Sequence, residues 1–377
     1  MIRIIADNIF SPLGFTTADN YAAVKAGRSM LQHHEGMMGL PQPFTASLFD
    51  WREVERIGDY TRFETIAILS AREALRHTSV DPTSPDVLFV IASTKGNVEL
   101  LEDGIGSDRI HLGGAARRIA AWFGNANHPL VVSNACISGL SAQITAMRLL
   151  ESGACQTAIV IGADVQSRFV VSGFQSLMAL SPDPCRPFDI ERIGLNLGEA
   201  AATVIFDKVE EEERREERKK GEAWLAVNGA VRNDAHHISN PSRTGEGCYR
   251  AICAALGDTP ASELAFVNAH GTSTLYNDEM EAVAIDRAGL REVPVNSLKG
   301  YYGHTMGAAG VLETILSMQA ADDGCVLATR GFAELGVSRP VHVTATHEPT
   351  PKRTFLKLLS GFGGCNAAML FRKGGVR

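Results

Sequence analysis

The chain has 377 residues, 45% of them apolar and 21% charged, with a net charge of −7. That length supports a large buried core in two units or one composite domain, and the acidic balance, without a zinc-finger or RNA-sheet motif, excludes general nucleic-acid binding. No apolar run approaches the roughly 18 residues of a membrane helix, and "MIRIIADNIFSPLG" lacks a secretory signal's basic and long apolar segments, so a cytoplasmic protein without a membrane span is expected.

Along the chain, short aliphatic runs alternate with longer helical patterns, as in an α/β protein. "DVLFVIAST" (86–94), "PLVVSN" (129–134) and "TAIVIGADV" (157–165) predict strands buried on both faces. Helices rich in Ala, Gly and Ser are predicted over 136–152 and 304–322; small residues on several sides of a helix indicate burial between layers rather than at a surface. The charged stretch "EEEERREERKKGE" (210–222) reads as a solvated connection between two halves, 1–209 and 223–377. The halves echo one another. "AATVIFDK" (201–208) resembles "AAMLFRK" (367–373), and a strand followed by a small-residue helix occurs in "VVSNACISGLSA" (131–142) and again in "VNSLKGYYGHTMGAAG" (295–310). A repeat of such long period implies two similarly folded halves.

Seven scattered cysteines without a CxxC pair read as reduced thiols, not as a disulfide framework or a zinc site. The absence of Gly-Lys excludes a Walker-type phosphate loop, and no HExxH is present, so no metal is expected. Cys136 stands where a predicted strand ends and a helix begins. Unpaired N–H groups and the helix dipole there lower a thiol's pKa; a buried cysteine is equally a small core residue. In "LAFVNAHGTSTLYNDEMEA" (264–282), His270 follows a buried strand and precedes Thr272, Ser273 and Thr274, at the strand end where ligands bind in parallel α/β sheets. In "NSLKGYYGHTMGAAG" (296–310), Lys299 precedes His304, which opens the glycine-rich helix and is biased there towards the neutral form. "LLSGFGGCNAAMLF" (358–371) sets Gly361, Phe362, Gly363 and Gly364 after a strand, either as a tight turn or as backbone that offers an N–H to an oxyanion.

These segments, in this order, resemble the β-ketoacyl-acyl-carrier-protein synthase family: "NACISG", "NAHGTSTLYNDEME", "SLKGYYGHTMGAAG" and "GFGGCNA", with weaker matches at "SPLG", "AGRS" and "ALSPDPCRPFDIERIGLNLGEAAA". The resemblance implies a thiolase-like fold of two pseudo-repeated halves in α-β-α-β-α layers, the first carrying the nucleophile and the second the histidines and lysine. It implies that Cys136 accepts the acyl group, that His270, His304, Lys299 and Glu281 complete the catalytic set, and that Thr272 and Thr274 contact the phosphopantetheine arm. Gly361, Phe362 and Gly363 would bind substrate, with the Phe362 N–H joining that of Cys136 in an oxyanion hole. The implied reaction is decarboxylative condensation of an acyl-enzyme with malonyl-acyl carrier protein. It uses no cofactor beyond phosphopantetheine on the carrier protein, and the implied assembly is a homodimer or a heterodimer with a related subunit. A non-catalytic partner of the chain-length-factor type is the alternative. Leu275-Tyr276-Asn277 after "HGTST", Asn134 before Ala-Cys, Gly300 after the lysine, Ile193 and Cys365 depart from the family pattern. They point to a specialised polyketide or aryl-polyene pathway over housekeeping fatty-acid synthesis.

Overall fold

The computed structural model describes residues 1–102, 104, 108–209 and 222–374, so nearly all of the charged connection at 210–222 lies outside the described residues. Among those residues, ten strands form one sheet. In chain order they are β1 (Ile2–Phe10), β2 (Val87–Ala92), β3 (Leu130–Val132), β4 (Thr157–Asp164), β5 (Ala200–Lys208), β6 (Ala223–Asn233), β7 (Phe266–Asn268), β8 (Val295–Asn296), β9 (Thr354–Gly361) and β10 (Cys365–Gly374). Across the sheet the order is β8-β7-β9-β10-β6-β1-β5-β4-β2-β3.

That order contains the duplication read from the sequence. In each set of five, the first and last strands pair antiparallel (β1 with β5, β6 with β10), and the last pairs antiparallel with the fourth. The fourth runs parallel to the second, and the second parallel to the third. "AATVIFDK" and "AAMLFRK" therefore occupy equivalent strands, β5 and β10. The two sets join where β1 meets β6 antiparallel, with Ile2, Arg3 and Ile4 opposite Ala226, Leu225 and Trp224.

The helices that matter for the site are α1 (Arg62–Leu75), α2 (Leu112–Trp122), α3 (Ser138–Ser152), α4 (Arg168–Ser176), α5 (Glu246–Leu256), α6 (Leu275–Arg287) and α7 (Ala309–Asp322). Thr61 and Glu64 form a capping box that starts α1; α1 and α2 bury Phe63, Ile66 and Ile119 on one outer face. On the other, α5 and α6 bury Ile252 and Ile285. Between them, α3 and α7 share a core with strands of both sets, which completes the α-β-α-β-α layering. The small residues in these two helices have a steric cause. A Cβ on Gly139 would lie 2.6 Å from the Gly307 carbonyl oxygen, and one on Gly310 would lie 2.3 Å from the Leu140 nitrogen. Backbones this close leave no room for a side chain.

One expectation needs correction. β2 and β4 are buried on both faces, but β3 is not: Leu130 is 37% exposed and Val131 and Val132 are only half-buried. β3 is the last strand of the sheet, and a position at the edge cannot be read from an aliphatic run.

Candidate active site

Cys136 lies between β3 and α3, two residues before the helix begins. The preceding residue, Ala135, has φ +44°, a conformation that costs a non-glycine residue of order 1–3 kcal/mol. Ser138 supports this bend by accepting from the Asn134 N–H at 2.8 Å and donating to the Ala135 carbonyl at 2.6 Å. Two other turns at the site show the same backbone sign, at Ser273 (φ +67°) after His270 and at Met306 (φ +48°) after His304. Gly361 comes so close that a Cβ there would lie 3.0 Å from both the Cys136 nitrogen and the Cys365 sulfur. The turn after Gly361 connects β9 to β10 and also brings the Phe362 N–H towards the Cys136 thiol.

The expected low thiol pKa is corrected by the structure. Burial pushes Cys136 up to about 11, against the opposing pull of Lys299, the Phe362 N–H and Lys95. Loss of solvation outweighs the stabilising charges and donors, so the resting group is a thiol.

His270 and His304 complete a compact group in which one ligand atom from each ring and the Cys136 sulfur all lie within 4.8 Å of one another. The two rings stand nearly perpendicular with centroids 5.0 Å apart. Burial, then the positive charge of Lys299, holds both imidazoles well below the ordinary histidine pKa, so both are neutral near pH 7. The His304 tautomer is set by its surroundings. Nδ1 accepts the Met306 N–H at 3.2 Å, which leaves Nε2 to carry the proton, and Nε2 is buried with no partner. His270 Nδ1 is also buried and unpartnered.

Behind the histidines, Lys299 is 1% exposed and donates to Glu313 Oε1 at 2.5 Å, while Lys357 donates to Glu313 Oε2 at 2.6 Å. Burial raises the Glu313 carboxyl, but the two lysines outweigh it and hold it below its ordinary value. Glu281 does not touch the His270 ring. Its oxygens accept the backbone N–H groups of His270 and Gly271, each at 2.7 Å, and Asn277 Nδ2 at 2.9 Å. Asp278 likewise holds the N–H groups of Thr272 and Ser273 at 2.9 and 3.0 Å. These two carboxylates on α6 fold the loop after β7 so that His270 and the threonines face one cavity.

That cavity, about 270 Å³, is lined by Cys136, His270 and His304 at its base, by Thr272 and Thr274, and by Gly361 and Phe362. Its outer part carries Leu177, Met178, Ile193, Leu275 and Tyr276, all exposed apolar side chains; Ile193 is 60% exposed. Phe362 stacks on Phe174 of α4 with ring centroids 6.0 Å apart, and both rings line the same cavity as the thiol. Lys299, Glu281 and Gly363 lie outside the lining; the Gly363 N–H is bonded to the Ile238 carbonyl at 2.7 Å. Two departures from the family pattern meet here, since the Cys365 thiol points to the Asn134 carbonyl at 3.8 Å and the Phe362 carbonyl at 3.2 Å. One sulfur and two imidazoles also form a set able to hold zinc. The positive charge of Lys299 and Lys357, which reaches both rings, opposes a dication there.

Sequence reasoning missed Glu313 and Lys357. Each has a signal in retrospect: a glutamate inside the apolar "GVLETIL" and a lysine inside the apolar "TFLKLLS".

Residues 15–212 match the family described as "Beta-ketoacyl synthase, N-terminal domain", and 225–333 match "Beta-ketoacyl synthase, C-terminal domain". The chain is 26% identical to the 3-oxoacyl-[acyl-carrier-protein] synthase 2 of Vibrio cholerae over 97% of each chain. It is 29% identical to the ketoacyl synthase alpha subunit of the tetracenomycin polyketide synthase of Streptomyces glaucescens, over 83% of this chain and 82% of that one. Among solved structures it resembles a ketosynthase (ApeO) in complex with its chain length factor (ApeC) from Xenorhabdus doucetiae. There the TM-score is 0.87 at 24% identity, covering 99% of this chain and 98% of the other. With both halves matched and the fold shared end to end, the chain belongs to the β-ketoacyl synthase family.

Proposed function

We propose that this protein condenses an acyl group held on Cys136 with a malonyl thioester carried by an acyl carrier protein, releasing carbon dioxide and a 3-oxoacyl thioester. The observation that carries this reading is the pair of neutral histidines beside one thiol in a single cavity, His304 with a protonated, unpartnered Nε2. The second histidine is superfluous for a cysteine-dependent hydrolase. A decarboxylation that leaves an enolate oxygen needs preorganised donors of this kind.

In the first step the Cys136 sulfur attacks the acyl thioester carbonyl, a C–S bond to the enzyme forms and the carrier thiol leaves with a proton. The N–H groups of Cys136 and Phe362 hold the oxyanion. In the second, the malonyl carbon–carboxylate bond breaks, carbon dioxide leaves and the electron pair enters an enolate whose oxygen His270 and His304 hold. The enolate carbon then attacks the acyl-Cys136 carbonyl, and the Cys136 sulfur departs and takes up a proton from solvent. Splitting the reaction across a covalent intermediate lowers each barrier. Lys299 and Glu281 act from behind, by charge and by positioning. Thr272, Thr274 and the Phe362–Phe174 pair border the path that a phosphopantetheine arm would take, and no further cofactor enters.

The apolar rim of the cavity suits docking of a carrier protein, and the open edge of β3 suits pairing with a second chain of the same fold. We take the assembly to be a homodimer or a heterodimer with a related subunit, the chain to divide into halves 1–209 and 223–377, and the location to be cytoplasmic. Among the described residues no helix is long and apolar enough to cross a membrane. Relatives in polyketide assembly and the altered segments at Asn134, Ile193, Leu275–Asn277 and Cys365 favour a specialised pathway.

The test is mass spectrometry of the protein incubated with a panel of acyl-carrier proteins, followed by malonyl-carrier protein. Acyl mass on Cys136, then carbon dioxide and a 3-oxoacyl product, supports the reading. Full condensation by Cys136→Ala paired with a related ketosynthase subunit would assign the chain the non-catalytic role of a chain-length-factor-like partner, and a free acid released without carbon dioxide would assign a hydrolase.

A further inference from the structure

The strand β9 sets Lys357 among Phe355, Leu356, Leu358 and Leu359, all buried, and the reaction drawn above gives it no task. Lys357 is 0% exposed. Its ammonium donates to Glu313 Oε2 at 2.6 Å and to the Leu358 carbonyl at 2.8 Å, and it also faces the carbonyls of Ala269 and Asn268 at 3.4 and 3.5 Å. The last two belong to the residues immediately before His270. Burying an ammonium is costly unless every proton is satisfied, and an apolar residue of similar volume would suit this strand better. Burial draws Lys357 down to about 8 and Glu313 opposes that fall, so it is still mainly a cation at neutral pH.

We infer that Lys357 is a positioning residue whose ammonium, tethered in a cage of backbone oxygens and Glu313, fixes the chain entering His270 and, through Glu313, the place of Lys299. The cage connects three elements that the site draws on separately: β7 before His270, α7 after His304, and the strand β9 that ends at Gly361. One carboxylate shared by two lysines also leaves net positive charge behind the imidazoles. The groups facing the histidine pair are Lys299 and Lys357, with Glu313 on α7, Glu281 on α6 and the Cys136 thiol. The inference rests on the condensing function proposed above.

Lys357→Met removes the charge and keeps the volume. Acyl transfer to Cys136, which depends on the turn at Phe362, should stay within about threefold, whereas malonyl decarboxylation should fall about ten- to a hundredfold, as misplaced catalytic groups do. Lys357→Ala leaves a gap the size of propylammonium. Adding propylammonium should restore decarboxylation and raise the thermal midpoint of Lys357→Ala while leaving the unaltered protein unchanged; tetramethylammonium at equal ionic strength should do neither. Normal decarboxylation by Lys357→Met, an equal fall in both steps, or no response of Lys357→Ala to propylammonium overturns the inference. If Lys357→Met does not fold, Lys357→Ala prepared in propylammonium decides, and its failure to fold there also overturns it. If the unaltered protein does not decarboxylate malonyl-carrier protein, the condensing function fails instead, and the thermal response to propylammonium still decides the cage.

Discussion

The junctions β3-to-α3 and β8-to-α7 occupy the same place in the two halves, and they have diverged in opposite directions. Each leaves the third strand of its set and enters a helix of the middle layer. The first presents a thiol at Cys136 after a strand whose outer edge is open among the described residues. The second presents His304 after a strand whose outer edge is closed, the Val295 N–H donating to the His342 carbonyl at 2.7 Å and its carbonyl accepting from Thr344 at 2.9 Å. The two junctions meet glycine to glycine at 139, 307 and 310. In the function proposed above, one bears the nucleophile and the other a donor. The edge left uncovered in one copy is where another chain can add, since an unpaired strand edge is a template for association.

The largest effect is expected at the thiol. Cys136→Ala should lower condensation by about a thousandfold or more, since removing a nucleophile leaves only binding and oxyanion stabilisation, and mass spectrometry should find no acylated protein. A smaller effect is expected at the opposite junction. His304→Ala should reduce malonyl decarboxylation by about 10²–10³-fold, the usual loss on deleting one oxyanion donor, with acylation of Cys136 still visible. If acylation disappears as well, the two junctions do not divide the labour as drawn.

Where the helices touch, Gly310→Ala should destabilise the fold by about 1–3 kcal/mol, the range for overpacking a tight core, as read by denaturant unfolding. Gly173, which has open space around it, gives the control. The histidines set a pH dependence of stability. Their folded pKa values lie well below 6.5, so the unfolded chain takes up their protons first on acidification. Stability is therefore complete above about pH 6.5 and falls below it, by up to about 1.4 kcal/mol per pH unit for each histidine. His270→Gln should flatten that slope. The smallest effect on folding is expected at the open edge. Leu130→Lys should leave unfolding within about 0.5 kcal/mol but shift the mass seen by light scattering from dimer towards monomer. An unchanged dimer would move the interface elsewhere.

Much of the site was legible because its residues sit in short local segments with distinctive chemistry. "NACISG", "NAHGTST" and "LKGYYGHTMGAAG" each place a reactive side chain at the end of a strand or the start of a helix, and α/β topology gathers such ends on one side of a sheet. The Gly361 and Phe362 backbone was legible for the same reason. The cage around Lys357 was not. Glu313 and Lys357 stand 44 residues apart, and Lys299 stands 14 from Glu313. In a linear reading each is a lone charge in an apolar run.

Alternation of aliphatic runs with small-residue helices, and their recurrence in the second half, determined the layered fold and its duplication from sequence alone. The ordered Cys136, His270, Lys299 and His304 segments pointed to the family and to the chemistry proposed above. Three matters depended on tertiary structure: which strand lies at an open edge, how far burial raises the Cys136 thiol, and which carboxylate pairs with which lysine. All three are set by what other parts of the chain place around a residue. Solvation and charge act through space, and neighbours along the chain carry only part of either.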